Sequence, residues 1–134
     1  KGLILVTGQA AHFEPLLRPL SDELRARFLQ KNKRPTTWLV PDRNNFVPQY
    51  LRGKHSSIAL RLTDHCVFSA LSEVLGHAVV STSANPAGRS PANSLFKVNQ
   101  YFANDIDYVL PTTLGGFSKP SEIRDLTTNT VLRG

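Results

Sequence analysis

Ser57-Ile-Ala-Leu-Arg-Leu62, then Thr63-Asp64-His65, then Cys66-Val-Phe-Ser-Ala-Leu-Ser-Glu-Val-Leu75 ending at Gly76, is the stretch that decides the class of fold. The first six residues read as a strand whose end delivers Arg61. Thr63 or Asp64 caps the helix that follows. Val67, Leu71, Val74 and Leu75 form its apolar stripe, and Gly76 supplies the stop. Arg61 therefore falls at a strand end and His65 in the first turn of a helix. Unpaired N–H groups point outward there, which suits an anion. Taken singly, an arginine is more often a surface residue and a histidine a structural one.

Downstream, His77-Ala-Val-Val-Ser-Thr-Ser-Ala-Asn-Pro-Ala-Gly-Arg-Ser-Pro91 carries a short apolar run into Ser81, Thr82, Ser83 and Asn85 before Pro86 and Gly88 break regular structure. Open α/β sheets present ligands at strand ends of this kind, and small polar residues let a ligand approach backbone N–H groups that hold phosphate. A solvated turn has the same composition. Ser94 caps a further helix with Leu95, Val98 and Phe102 inward, and Ile106 to Leu110 reads as another strand.

Upstream, Leu3 to Val6 is a continuous apolar run, as in a strand covered on both faces. His12 to Leu17 reads as a short helix. Ser21 caps the next, with Asp22 and Glu23 in its first turn and Leu20, Leu24 and Phe28 as its buried stripe. The exposed face and exit of that helix carry Arg25, Arg27, Lys31, Lys33 and Arg34. Such a cluster is either a footprint for nucleic-acid phosphates or a solvated helix face. Thr36 to Val40 is β-branched and aromatic, a strand with Trp38 as core anchor. Asp42 to Lys54 reads as a surface loop. At the far end, Ser121–Asp125 and Thr130–Arg133 flank a Thr-Thr-Asn turn, a hairpin. Strands alternating with helices give an α/β domain with a twisted, mixed sheet.

The totals narrow the classes. At 134 residues the chain is one domain's worth. The 40% hydrophobic and 19% charged content excludes disorder. One cysteine, Cys66, excludes a disulfide framework and a Cys-rich zinc site, fits a reducing compartment, and reads as a buried small hydrophobe. No apolar run reaches membrane-span length. Sixteen Lys and Arg against ten Asp and Glu leave +6, which favours an anionic partner such as nucleotide or nucleic acid. The absence of methionine and the abrupt opening on a strand read as a piece of a longer protein.

Several stretches match one family in order and spacing. They are Lys1-Gly-Leu-Ile-Leu5, Arg34-Pro-Thr-Thr-Trp-Leu-Val-Pro41, Ile58-Ala-Leu-Arg-Leu-Thr-Asp-His65, Val80-Ser-Thr-Ser-Ala-Asn85, Lys119-Pro-Ser-Glu-Ile-Arg-Asp125 and Val131-Leu-Arg-Gly134. With these the chain resembles the YrdC/TsaC family, the threonylcarbamoyl-AMP synthases, over its whole length. The resemblance implies an open, twisted α/β sheet forming a cleft. It implies synthesis of threonylcarbamoyl-AMP from L-threonine, bicarbonate or CO2, and ATP, with release of diphosphate and Mg2+ on the phosphates. A downstream enzyme complex then modifies the adenosine next to the anticodon of tRNA, in the cytoplasm.

The same resemblance carries the family's Ser-x-Ser-x-Asn element onto Ser81, Ser83 and Asn85 as a nucleotide-phosphate loop. It carries the strand-end arginine onto Arg61 with His65 nearby, and the late arginine onto Arg133 beside Ser121. No acid or base need form a covalent intermediate, and no protein-ligated metal is expected. The family's Lys-x-Arg-Pro motif and an earlier strand and helix precede the matched region, so residues 1–134 are expected to be the larger, C-terminal portion of such a domain. Loops 42–54 and 112–119 are the candidates for closing over the cleft. A rival reading is a non-catalytic module that binds double-stranded RNA or tRNA, or assists ribosome assembly, through Arg25, Arg27, Lys31, Lys33 and Arg34.

Overall fold

Residues 3–110 and 120–134 are described by a computed structural model of the chain. The 112–119 segment, with its Gly115-Gly116 pair, lies outside the described residues.

Six strands lie side by side in one mixed sheet, in the order β4-β1-β3-β2-β5-β6. They are β1 (Ile4–Thr7), β2 (Thr36–Pro41), β3 (Ser57–Leu62), β4 (Val79–Ser81), β5 (Glu122–Asp125) and β6 (Val131–Arg133). β1 pairs with β3 and β2 with β5 in parallel, while β1–β4, β2–β3 and β5–β6 are antiparallel. The helices are α1 (Glu14–Leu17), α2 (Asp22–Leu29), α3 (Gln49–Arg52), α4 (Cys66–Leu75) and α5 (Leu95–Phe102). The chain divides into two compact units. Lys1–Ser81 with Lys119–Gly134 holds the whole sheet, and Thr82–Ser118 is the other.

Alternation along the strands sorts the side chains onto two faces. Trp38, Val40, Ile58 and Leu60 point to one side, where Phe13, Leu16, Leu17 and Phe28 cover them and Leu5 and Leu62 pack alongside. Phe13 meets Phe28 edge to face, with ring centroids 5.9 Å apart. Each such side chain contributes about 1.5–3 kcal/mol on burial. Helix α2 presents Phe28 to this core because Ser21 caps it, accepting a bond from Leu24 N at 3.4 Å, and Leu20 and Leu24 lie beside the same cluster. Trp38 is thus a core anchor.

The hydroxyl-rich face of α4, and not its apolar stripe, meets the sheet. Ser72 is wholly buried, whereas Leu71, Val74 and Leu75 are exposed. Gly8, just past β1, explains the inversion. Its missing side chain brings backbone and Ser69 so close that a Cβ at position 8 would lie 2.8 Å from Ser69 Cα. The Gly8 N–H donates to Ser72 Oγ at 3.1 Å, and Ser72 Oγ–H donates to Ser69 O at 3.0 Å. A glycine and two serines give close backbone approach, and the apolar stripe is left on the other side. Cys66 is likewise exposed, because it opens α4 on that outer side.

Two further expectations change, and the surface loop at 42–54 gains an anchor. Ile106 to Leu110 forms no strand. Leu95 of α5 is exposed, although Ser94 does cap that helix through Lys97 N at 3.2 Å. The 42–54 segment is built on a buried carboxylate. Asp42 is 4% exposed and accepts from Phe46 N at 2.8 Å and Val47 N at 2.9 Å, and Arg52 in α3 stands 3.9 Å from it. A charge held inside by two N–H donors and a cation ties the loop down.

Candidate active site

The sheet face opposite the core carries a row of residues at one level. Val6 pairs in register with both Val79 and Arg61, and Ile123 with both Thr37 and Arg133. Pairs across β2 and β3 sum to 98 (Trp38 with Leu60, Leu39 with Ala59), so the next step sets Thr37 across from Arg61. The row runs Val79, Val6, Arg61, Thr37, Ile123, Arg133. Ser81 lies on the same face one level along, in register with Ile4, which also pairs with Ala59. From strand spacing and rise, its Cα is about 12 Å from that of Arg61. Ser121 immediately precedes β5 and joins the row through Thr37, their hydroxyl oxygens 3.0 Å apart. Arg133 Nη2 donates to Ser121 O at 3.2 Å. Alternation therefore collects Arg61, Ser81, Ser121 and Arg133 on one face.

The strand ends behave differently from expectation. β4 runs antiparallel to β1, so its terminal Ser81 sits beside the start of β1, away from the ends of β1 and β3. The rule that ligands gather at the carboxyl ends of parallel strands does not describe this edge. A shared face, rather than a shared end, relates Ser81 to Arg61.

Arg61 is partly buried, and its buried Nε meets no hydrogen-bond partner. Burial pulls the guanidinium pKa down from its usual value and nearby Asp64 pulls it up. Arginine stays charged in either case. A cation withdrawn from water with an unused donor is a ready anchor for an anionic group. His65 is the N-cap residue immediately before α4, one position earlier than a first-turn site. Its N–H donates to Thr63 Oγ1 at 3.2 Å, its carbonyl accepts from Ser69 N, and its ring meets Phe68 edge to face at 5.8 Å. His65 Nδ1 is buried without a partner.

Ser83 and Asn85 belong to the other unit. There the chain folds back tightly. Asn85 N bonds Ser83 O at 2.9 Å, Ala92 N bonds Ala84 O at 2.9 Å, and Gly88 takes φ +76. The Asn85 amide gives its protons to Pro86 O at 3.0 Å and Arg89 O at 2.7 Å, leaving Oδ1 buried and unpartnered. Its NH2 thus staples the loop, and the oxygen is what it has left to offer.

The basic cluster is largely committed within the protein. Arg27 donates to Leu126 O at 2.8 Å and Thr127 O at 3.0 Å and pairs with Glu23 at 2.8 Å. Arg25 pairs with Glu14 at 3.4 Å, and Arg34 stands 4.0 Å from the buried Glu122, which also pairs with Arg124. Lys31 and Lys33 are exposed. A shallow cleft of about 760 Å³ lies beside this cluster, lined by Arg27, Gln30, Asn32, Trp38 and Arg124 among others. Trp38 places it on the core side, away from the Arg61 row. Among the described residues no group of three His, Cys, Asp or Glu is placed to hold a metal ion. No described helix is long and apolar enough to cross a membrane.

One residue of the row escaped attention in the sequence. Thr37 looked like strand filler, yet it is wholly buried beside Ser121. The available signal was its place between core residues Thr36 and Trp38, which turns it to the other face.

Comparison with known proteins matches this geometry to a family. The Sua5/YciO/YrdC family model, described as "Telomere recombination", matches residues 1–134. Threonylcarbamoyl-AMP synthase from Marinobacter nauticus is 47% identical over 133 residues, covering 99% of this chain and 70% of the relative. The enzyme of the same name from Hahella chejuensis is 46% identical, covering 99% and 72%. Among solved structures, P. abyssi Sua5 complexed with L-threonine superposes with a TM-score of 0.79 at 24% identity, over 95% of this chain and 37% of that one. The chain therefore spans well under half of that Sua5 chain and about 70% of the Marinobacter nauticus relative. A six-stranded mixed sheet of the same fold, matched motifs from end to end and close relatives over nearly every residue lead to one conclusion: the chain belongs to the Sua5/YciO/YrdC family.

Proposed function

We propose that this chain is the part of a threonylcarbamoyl-AMP synthase that carries the anion-binding sheet face, and that the enzyme serves tRNA modification in the cytoplasm. The observation that carries the reading is the row holding Arg61 and Arg133, with Ser121 bound to both Thr37 and Arg133, in a chain 47% identical to a threonylcarbamoyl-AMP synthase.

The chemistry explains why such a face suits the task. L-threonine's amine takes up CO2 and loses a proton, giving an N-carboxylate. One oxygen of that carboxylate attacks the α-phosphorus of ATP. A new P–O bond forms, the bond to the β-phosphate bridging oxygen breaks, and diphosphate leaves with the electron pair. Nucleophile and electrophile are both anionic, so positioning and charge neutralisation supply most of the rate. Arg61, partly desolvated with a free Nε–H, neutralises and orients one of these anions. Arg133 adds a second cation at the same level, and Ser81 and Ser121 supply short hydroxyls. Asn85 braces the loop that holds Ser83. Mg2+ enters on the ATP phosphates as part of the substrate. Removing one well-placed donor from such a site costs about 10²–10³ in rate.

The test is diphosphate release by the complete gene product. Release is expected only when ATP, L-threonine and bicarbonate are all present. Release without threonine, or none under any condition, would overturn the reading.

A further inference from the structure

Resting on that reading, we infer that Thr37 is a positioning residue: it fixes the Ser121 hydroxyl as a donor aimed at an anionic oxygen of the substrate.

Thr37 is 0% exposed, and among the described residues its side chain makes one hydrogen bond, Oγ1 to Ser121 Oγ at 3.0 Å. Either hydroxyl can donate in such a pair, but their surroundings differ. No water reaches Thr37, and among the described residues Ser121 Oγ is the acceptor its hydroxyl meets, so its proton goes there. A buried hydroxyl that fails to donate forfeits a hydrogen bond it would have made in water. Thr37 Oγ1–H therefore donates to Ser121 Oγ. The proton of Ser121 is then left over, on a residue that is only partly buried. Its complement is an acceptor without protons of its own, a carboxylate or phosphoryl oxygen.

Two features make the arrangement rigid. A β-branched threonine in a strand has few χ1 options, so its oxygen is a fixed reference point for the freely rotating serine. Arg133 Nη2 holds the Ser121 carbonyl at 3.2 Å, pinning the backbone from the other side. Thr37 also lies across from Arg61 in the row, so the serine donor and the guanidinium address the same face.

The experiment is a double-mutant cycle on the complete gene product, with Kd for L-threonine and for ATP measured separately by calorimetry. Thr37→Val keeps the shape and removes the hydroxyl. We expect it to weaken one ligand by about fivefold to tenfold while the melting temperature holds. Thr37→Ser should restore binding to within about twofold. Thr37→Val added to Ser121→Ala should bring no further loss, because the threonine acts only through the serine. The ligand affected identifies the oxygen as carboxylate or phosphoryl. If Thr37→Val does not fold, Thr37→Cys replaces it in the same cycle.

Additive losses in the double variant, unchanged affinity for both ligands in Thr37→Val, or failure of Thr37→Ser to restore binding would each overturn the inference. All three leave the assigned reaction standing. Wild-type protein that binds neither ligand would overturn both.

Discussion

Replacing Gly8 by alanine tests whether the approach of β1 to α4 is as tight as the structure describes. The added Cβ would lie 2.5 Å from Ser69 Oγ, 2.7 Å from Ser69 Cβ and 2.8 Å from Ser69 Cα. Rotating the serine removes only the first clash. The others involve the helix itself, so α4 must retreat by roughly 1 Å to reach ordinary contact distance. Overpacking of this kind costs about 1–3 kcal/mol. The retreat also stretches the 3.1 Å bond from Gly8 N to Ser72 Oγ, in a place where Ser72 is sealed from water. Losing it adds about 1 kcal/mol. A total near 2–4 kcal/mol corresponds to a fall in melting temperature of about 7–14 °C for a chain of this size. Differential scanning calorimetry of Gly8→Ala measures it directly. Ser69→Ala in the same background should recover little, since Cβ and Cα of residue 69 remain in the way. A melting temperature within about 1 °C of wild type, or full recovery with Ser69→Ala, would refute the reasoning.

Other substitutions probe the remaining features. Arg61→Met should abolish diphosphate release by at least about 10² while leaving the ligand-free melting temperature equal or higher. Burial lowers the folded-state pKa of Arg61, so its charge opposes folding at every pH below that value, and thermal scans near neutrality show the relief. Asp42→Asn removes the carboxylate that accepts from Phe46 N and Val47 N and should cost about 2–3 kcal/mol in urea unfolding, with the 42–54 segment cut faster by protease. Arg27→Ala should lower stability by about 1–2 kcal/mol by releasing Leu126 O and Thr127 O. The rival RNA-binding reading predicts instead a loss of RNA affinity and a shallower salt dependence for that variant, measured by fluorescence anisotropy.

Local chemistry was legible in the sequence. Ser21 and Ser94 cap helices, Gly76 ends one at φ +70, and the tail is a hairpin, because each signal acts within a few residues. Phe28 could be assigned to the core from spacing, and Trp38 from its place in a β-branched, aromatic run. Strand direction was not legible. Nothing local in Val79–Ser81 says that it runs against β1, yet that direction moves Ser81 from the expected end to a shared face. The α4 stripe misled for a related reason. Apolar spacing shows which residues are alike, whereas Gly8 sixty residues earlier decides which face meets the sheet. Arg61 came from its place at a strand end as well as from motif resemblance, Arg133 from resemblance alone, and the row that joins them depends on strand order and register. Thr37 was hidden because its partner is 84 residues away.

The position of β5 has a consequence for how the protein is made. This strand, Glu122–Asp125, lies between β2 and β6 and pairs with residues 36–39, which leave the ribosome long before it. At about 5–20 residues per second, the outer edge of β2 waits several seconds for its neighbour. Throughout that interval its backbone groups on that side are unpaired, an invitation to association with other chains. Ser121 and Arg133 arrive with the same late segment, so a ribosome-bound intermediate holds Arg61 and Thr37 but neither Ser121 nor Arg133. Slowing translation near residue 120 should lengthen that interval and raise aggregation.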